Sequence, residues 1–258
     1  MLKFDKRCID IDNKCEACSV CDVNKDGIQD IICGEYWYEG PDFTKKHKIC
    51  SLTYDGNYLH DFSDYPMDVN GNGYPDIITG SWWDGGLFWR ENPGAAGGEW
   101  KTHKIMDLSN VETIRFYDID NDGEPEIFPN CPGEPPFFVK LKDGNFVKHV
   151  IGEVGAGHGL GVGDIDGDGL PEVIVPSGIF KMKNGCPYCT PWERFDEFKV
   201  KSAWSVPVLT HDVNNDGKTD IILGYGHNYG LVWLEQGADE NGKRTWTEHV
   251  IDNGWSQY

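Results

Sequence analysis

Five acidic segments of the sequence have the residue types and spacing of loops that bind a hard metal ion. They are DVNKDGIQD (22–30), DVNGNGYPD (68–76), DIDNDGEPE (118–126), DIDGDGLPE (164–172) and DVNNDGKTD (212–220). Each carries oxygen-bearing side chains at positions 1, 3, 5 and 9, with glycine at position 6, where the turn needs a positive φ angle. Several oxygens aimed at one point suit Ca²⁺, which takes about six to eight oxygen ligands.

The predicted metal ligands are the side chains at those four positions. They are Asp22, Asn24, Asp26, Asp30, Asp68, Asn70, Asn72, Asp76, Asp118, Asp120, Asp122, Glu126, Asp164, Asp166, Asp168, Glu172, Asp212, Asn214, Asp216 and Asp220. An EF-hand needs a glutamate at position 12, which no copy has, so the closing carboxylate is expected at position 9. Up to five calcium ions are predicted. The alternative is five metal-free Asx turns, but these do not explain the repeated oxygen at position 9.

The overall charge is consistent with metal loops and excludes some partners. The chain has a net charge of −20, with 43 acidic against 23 basic residues, and sixteen of the acids stand at the four loop positions. No basic patch offsets this charge, so a nucleic-acid partner is not expected. No apolar run is long enough to span a membrane. The N-terminal residues lack the apolar core of a secretory signal, which predicts a cytoplasmic protein as written; an extracellular location is the alternative if the native chain is longer.

The loops recur with the period of a β-propeller blade. Their starts are 46 to 50 residues apart, and each loop runs directly into a β-branched strand start such as DII or EVIV. Most units end in a pattern resembling K-H-x-I, at 43–49, 99–105, 145–151 and 245–251, which predicts an outer strand. We therefore predict an all-β chain forming one β-propeller domain of four-stranded blades over residues 1–258. A sixth outer-strand pattern at 3–10 leaves two alternatives open, five blades or part of a larger propeller.

A second group of residues is expected at the end of the blades opposite the metal loops. His60, Arg115, His158 and His211 precede loops, and the segments 34–40, 80–86 and 224–230 connect second to third strands. These connections supply aromatic and histidine side chains, namely Tyr36, Trp37, Trp82, Trp83, His227 and Tyr229. Aromatic faces with polar neighbours suit a small carbohydrate or oligosaccharide. Glycine at every second position from Gly155 to Gly163 indicates crowded blades or a ligand close to the backbone.

The loops, followed by I-I-x-G, resemble the FG-GAP/VCBS repeats of calcium-bearing β-propellers. Within that group, HGLGVGDIDGDGLPEVIVPSG (158–178) and the W-x-E-N…W-x-x-H-x-I hairpin resemble the propeller part of the aldos-2-ulose dehydratase (1,5-anhydrofructose dehydratase) type. The first resemblance implies one calcium loop between the first and second strands of each blade. The second implies a carbon–oxygen lyase that eliminates water from a keto-sugar.

The dehydratase resemblance implies roles for the candidate residues. His158 would be the base, with His60 or His227 as its acidic partner or as ligand of a transition metal such as Zn²⁺, and Arg115 would hold the oxyanion. The substrate-binding candidates are Tyr36, Trp37, Trp82, Trp83, Tyr229 and His211. The alternative function is a non-catalytic propeller that binds carbohydrate or protein partners, as integrin-type propellers do.

Nine cysteines are a high count for this length. The segments CEACSVC (15–21) and CPYC (186–189) contain C-x-x-C pairs, which in other proteins hold zinc. Because the two segments belong to different repeats, buried thiols with a local disulfide are the favoured interpretation.

Overall fold

The chain folds into five four-stranded antiparallel sheets, and the computed structural model describes residues 5–198, 204 and 207–256. In every sheet the strands are adjacent in chain order, as in the blades of a β-propeller. The predicted all-β class and the four-stranded repeat are therefore confirmed. In the described residues, no helix is long and apolar enough to cross a membrane.

The strand bounds follow by blade. Blade 1 contains β1 (Ser19–Cys21), β2 (Asp30–Cys33), β3 (Tyr36–Glu39) and β4 (Lys45–Lys48), and a short hairpin of β5 (Tyr54–Asp55) and β6 (Tyr58–Leu59) follows it. Blade 2 contains β7 (Tyr65–Met67), β8 (Asp76–Gly80), β9 (Gly86–Glu91) and β10 (Lys101–Asp107). Blade 3 contains β11 (Thr113–Tyr117), β12 (Glu126–Asn130), β13 (Phe137–Lys142) and β14 (Asn145–Val150). Blade 4 contains β15 (Gly161–Gly163), β16 (Glu172–Val175), β17 (Gly178–Lys181) and β18 (Glu193–Phe195). Blade 5 contains β19 (Leu209–His211), β20 (Asp220–Gly224), β21 (Tyr229–Ala238) and β22 (Arg244–Ser256).

Burial differs between the second and fourth strands of the blades. Every residue of β8, β12 and β16 is buried, as the unbroken apolar runs after the acidic loops predict. The fourth strands β4, β10, β14 and β22 overlap the K-H-x-I-like segments and are mostly exposed. The acidic loops join the first and second strands of each blade, so the predicted loop position is confirmed.

Blades 1 and 2 belong to one compact unit, Met1–Leu108. Its core brings together Val23, Ile32, Trp37, Ile49 and Ile77, and β1 lies beside β7. The side-chain amide of Asn92, at the end of β9, donates to the backbone oxygens of Val23 and Pro75 at 3.0 Å each. This buried amide therefore ties the acidic loop of blade 1 to blade 2.

Blades 3 to 5 belong to a second compact unit, Ser109–Tyr258. One apolar cluster is centred on Phe128, Phe138 and Phe180, and another on Ile174, Ile221 and Trp204. The sequence predicts that residues 1–258 form a single domain, and this stays a prediction.

The alternating glycines lie where blades 4 and 5 crowd together. A Cβ atom on Gly161 would come within 2.8 Å of the backbone oxygen of Val208, and one on Gly163 within 2.2 Å of Oγ1 of Thr210. Strands β15 and β19 are neighbours, and they approach this closely only because one of them lacks side chains there. Of the two interpretations of these glycines, crowding between blades accounts for Gly161 and Gly163.

The structure differs from the sequence-based predictions at the 3–10 segment and at residues 36–39, and it pairs the cysteines of the CPYC segment. The described part of the 3–10 segment forms no strand. Residues 36–39 of the segment taken as a connection form strand β3, since the second and third strands of blade 1 are joined by a two-residue turn. Cys186 and Cys189 form a local disulfide, whereas the other seven cysteines are free, so the CPYC pair is not a zinc site in this structure.

Candidate functional site

The acidic loops are folded around the aspartate at position 1. In blade 5, the two carboxylate oxygens of Asp212 accept the backbone N–H groups of Asp216 and Gly217 at 3.0 and 2.9 Å. The same bonds recur around the first aspartate of the loops in blades 1, 2 and 3. Positions 4 and 6 of all five loops have positive φ angles, which explains glycine at position 6 and Asn, Gly or Lys at position 4.

The side chain at position 9 is buried in every loop and is the first residue of the second strand. Where it is aspartate, both oxygens accept backbone N–H groups; Asp220, for example, accepts those of Val213 and Gln236 at 3.0 and 2.8 Å. Where it is glutamate, as at Glu126 and Glu172, one oxygen binds the backbone and the other faces a lysine. Position 9 therefore anchors the loop to its blade, so the repeated oxygen at this position has a structural role and does not by itself distinguish a metal loop from a metal-free turn.

The donor set of the loops fits calcium. The side chains are carboxylates and amides, which offer the hard oxygen ligands that Ca²⁺ prefers. In blade 3, ligand oxygens of Asp118, Asp120 and Asp122 lie within 4.8 Å of one another. In blade 4 the same holds for Asp164, Asp166 and Glu172. The acidic clusters have the oxygen ligands of calcium sites, and in blades 3 and 4 a lysine of the third strand lies among the same carboxylates.

Two of the predicted residues of the first unit, His60 and Trp83, lie in an aromatic group that we call the Trp83 platform. The platform consists of Tyr58, His60, Phe62, Trp83 and Asp84. The ring of Trp83 stacks on His60 with centroids 4.9 Å apart, and the Tyr58 and Phe62 rings lie at 5.8 and 5.6 Å. Nδ1 of His60 is 2.7 Å from a carboxylate oxygen of Asp84. Trp83 and Tyr58 are 36% and 43% exposed, so the platform presents aromatic surface to solvent.

A cavity of about 390 Å³ adjoins the platform and shares His60 and Asp84 with it. Its other polar lining includes Ser51, Thr102 and Lys104. Nε2 of His60 is buried and has no hydrogen-bond partner. The site therefore combines an aromatic face with hydroxyl, ammonium and carboxylate groups.

Two of the predicted aromatic residues of this unit have other surroundings. Trp37 is 8% exposed, belongs to the core and stacks on His47 of β4 at 4.0 Å, so it does not face a ligand. The ring of Tyr36 carries the ammonium of Lys46 at 4.6 Å. Trp82 lies in the same turn as Trp83 and is half-buried.

In the second unit, His158 meets His227 and a residue that the sequence did not single out, Glu112. Nε2 of His158 is 2.6 Å from Oε1 of Glu112, and the two imidazole rings are 5.2 Å apart. One ligand atom from each of the three residues lies within 4.8 Å of the others. Glu112 and His158 precede the first strands of blades 3 and 4, and His227 lies in the turn between β20 and β21, so within each blade they stand opposite the acidic loop.

Backbone and carboxylate partners set the protonation of His158. Its Nδ1 lies 2.5 Å from the backbone oxygen of Trp204, which can only accept, so Nδ1 carries a proton. Burial alone lowers the pKa of His158, but the hydrogen bond and the charge of Glu112 outweigh it, and the pKa lies above its ordinary value. The negative charge of Glu112 beside Nε2 and the acceptor at Nδ1 both favour the imidazolium form.

The remaining predicted residues of this unit are not in that cluster. Arg115 lies within β11, opposite Phe128. His211 is the last residue of β19, opposite Asp220, and therefore stands at the end of blade 5 that carries the acidic loop. Placing it at the other end was wrong, because a residue directly before the loop is separated from that end by the length of the strand. Tyr229, at the start of β21, is 62% exposed and two residues from His227.

The sequence offered no local signal for Glu112 or Asp84, since each is a lone acid in a turn or loop. The strand-three residues that face the acidic loops could have been found by aligning the repeats. These residues are Glu39, Glu91, Lys140, Lys181 and Glu235. The histidines of the outer strands bind the glutamates of this set, His47 to Glu39, His103 to Glu91 and His249 to Glu235.

Two comparisons with known proteins found similarities to this chain. Residues 68–128 match the family described as FG-GAP-like repeat. Among solved structures, the chain is similar to Bap1, a biofilm matrix protein of V. cholerae, with a TM-score of 0.55 and 16% sequence identity. The similarity covers 93% of this chain and 40% of that one, so the chain spans well under half the length of Bap1 and shares its fold. A comparison with curated proteins found no match.

Proposed function

We propose that the protein is a calcium-stabilised binding module that takes up carbohydrate at the Trp83 platform. The observation that carries this proposal is the exposed Trp83 ring, held by stacking on His60 and bordered by Asp84. A rigid aromatic face binds the C–H-rich face of a sugar ring, and adjacent polar groups bind its hydroxyls.

The acidic loops act as structural elements in this proposal. They lie at the opposite end of each blade from the turns that carry Trp83 and His227. A divalent ion there would offset charge within the loop and hold the first and second strands together. The FG-GAP-like repeat at 68–128 and the likeness to a biofilm matrix protein support a binding role without catalysis.

Binding is tested by titrating the calcium-loaded protein with neutral, keto- and uronate-containing oligosaccharides, followed by calorimetry. The Trp83→Ala variant is expected to weaken binding at least tenfold, about 1.4 kcal/mol. Tyr117→Ala is the control, because Tyr117 is exposed to the same 36% and lies in the other unit. Equal affinity of wild type and Trp83→Ala would remove the platform from the binding site.

The Glu112–His158–His227 cluster favours a second candidate function, a sugar lyase or dehydratase. Its specific support is the backbone oxygen of Trp204 at Nδ1 of His158, since such a bond fixes Nε2 toward a ligand position. The donor set fits a transition metal such as Zn²⁺, which when bound would polarise a substrate oxygen. Without a metal, the imidazolium of His158 is suited to donate a proton to a leaving hydroxyl rather than to act as base.

This second function has its own test. Wild type and His158→Ala are dialysed against Zn²⁺, their metal content is measured, and new C=C bonds from keto-sugars are followed by ultraviolet absorbance. His211→Ala is the control, because His211 is exposed and outside the cluster. A flat absorbance trace, together with zinc content unaffected by His158→Ala, would exclude this function.

A further inference from the structure

The five acidic loops fall into two sets when three positions are compared together. The loops at 22–30, 68–76 and 212–220 have asparagine at position 3, aspartate at position 9 and glutamate at the facing residue of the third strand. The loops at 118–126 and 164–172 have aspartate, glutamate and lysine at the same three positions. Because the residue types at these three positions change together, the three side chains act as one structural unit.

The strand register shows that the facing residues are equivalent. Ile221 pairs with Leu234, so Glu235 is the next residue along, beside Asp220. Ile127 pairs with Val139 in blade 3, which puts Lys140 beside Glu126. Lysine in one set therefore occupies the place of glutamate in the other.

In blade 3, the ammonium of Lys140 lies among the loop carboxylates. Its Nζ is 2.8 Å from Asp120, 2.7 Å from Asp122 and 2.6 Å from Glu126. The Lys140 side chain is only 12% exposed.

Blade 4 repeats the arrangement. Nζ of Lys181 contacts Asp166, lies 2.7 Å from Asp168 and is 3.6 Å from Glu172. The longer side chain of glutamate at position 9 is what brings its second oxygen within reach of the lysine. Aspartate at this position uses both oxygens on the backbone.

The other set has no such internal cation. In blade 5, Glu235 accepts the side-chain amide of Asn214 at 3.0 Å and pairs with His249. Lys218 reaches one carboxylate, Asp216, at 3.1 Å. Among the described residues, no lysine or arginine bridges two carboxylates of the loops in blades 1, 2 and 5.

We infer that the ammonium groups of Lys140 and Lys181 take the place of calcium as the counter-ion of the loops at 118–126 and 164–172. The other three loops, at 22–30, 68–76 and 212–220, are then the calcium sites. The inference rests on the proposed calcium role of the loops. Lys140 is bonded to three carboxylates and Lys181 to two, with Glu172 at 3.6 Å. An ammonium so placed offsets the repulsion between the carboxylates, and it would repel a Ca²⁺ placed among the same oxygens. The chain would then bind three calcium ions rather than the five that loop counting predicts.

The test is calcium stoichiometry, measured by equilibrium dialysis and calorimetry on the whole chain. Wild type is expected to bind three ions, Lys140→Met and Lys181→Met four each, and the double variant five. Lys140→Gln serves as a second variant should methionine impair folding, which circular dichroism reports. Lys142→Met is the control, because Lys142 lies two residues further along β13 and is outside the acidic cluster.

The measured stoichiometry distinguishes failure of the inference about Lys140 and Lys181 from failure of calcium binding by the loops. Five ions bound to wild type, or a stoichiometry unchanged by the Lys140 and Lys181 variants, would overturn the inference and leave calcium binding intact. No bound calcium in any variant would remove the calcium role and the inference with it.

Discussion

Replacing Arg90 by methionine should destabilise the first unit because it leaves two buried carboxylates without their counter-ion. Arg90 is 3% exposed, and its guanidinium donates to Asp61 at 2.9 Å and to Asp64 at 3.3 Å. Asp61 also accepts the hydroxyl of Thr79 at 3.0 Å. Breaking a buried ion pair from one side costs about 3–5 kcal/mol. For a unit of about this size, that corresponds to a melting temperature lower by roughly 10 °C or more.

Thermal unfolding followed by tryptophan fluorescence, with calcium saturating, measures the effect. Arg194→Met is the matched control, because Arg194 pairs with Asp196 at 3.5 Å with side chains 37% and 75% exposed. An exposed pair contributes at most about 1 kcal/mol. A loss below about 1 kcal/mol for Arg90→Met would refute the assignment of a buried ion pair at Arg90.

The pH dependence distinguishes charge from lost packing. Burial and the neighbouring charge of Asp61 raise the pKa of Asp64, and Arg90 opposes that rise. Without Arg90 the pKa rises further, and a carboxyl with a raised folded-state pKa favours folding at low pH and loses that contribution as the pH rises through its pKa. Arg90→Met should therefore lose less stability at pH 5 than at pH 8. An equal loss at both pH values would point to packing alone.

Three further outcomes follow from the structure. Chelation of calcium should lower the melting temperature, measured by circular dichroism, and calcium should restore it; equal melting with and without chelator would contradict the structural role of the loops. Gly163→Ala should cost about 1–3 kcal/mol in urea unfolding, since its Cβ would lie 2.2 Å from Oγ1 of Thr210, whereas Gly133→Ala, with nothing within 4 Å, should be neutral. Glu112→Gln should lower the pKa of His158, because burial then remains as the main influence on that pKa. NMR titration measures the pKa, and an unchanged value would show that Glu112 does not control it.

The repeat and the loop positions could be predicted because local chemistry determines them. Position 6 needs glycine for its positive φ angle, and the position-1 aspartate caps the backbone of the same loop. Such interactions lie within nine residues of sequence. The sequence does not show which aromatic residues are exposed, because Trp37 and Trp83 have similar neighbours in the sequence and different burial. Only the packing of β3 on the core distinguishes them.

The candidate sites could be predicted only in part, since they combine residues distant in sequence. His158 stood out through its glycine-rich surroundings, but its partner Glu112 is 46 residues away in a segment without a motif. His60 was identified, whereas Asp84 was not, although it holds Nδ1 of that imidazole. Pairing of this kind depends on which strand ends meet, and residue spacing does not specify that.

Strand β12 connects one of the lysine-closed loops to the histidine cluster. It begins with Glu126, which binds Lys140, and it ends about 13 Å away at Asn130. The side-chain amide of Asn130 donates to the backbone oxygen of Gly157, and its side-chain oxygen accepts the backbone N–H of Gly159, so it holds the backbone on both sides of His158. The backbone carbonyl of Asn130 accepts the N–H of Glu112 at 2.9 Å. The geometry of Glu112 and His158 is thus set by the fully buried strand β12, whose loop has the ammonium of Lys140 as its cation. Because this loop does not need calcium, the pKa of His158 should stay constant when a chelator lowers the melting temperature of the chain. A shift on chelation would mean that the blade 3 loop needs calcium after all.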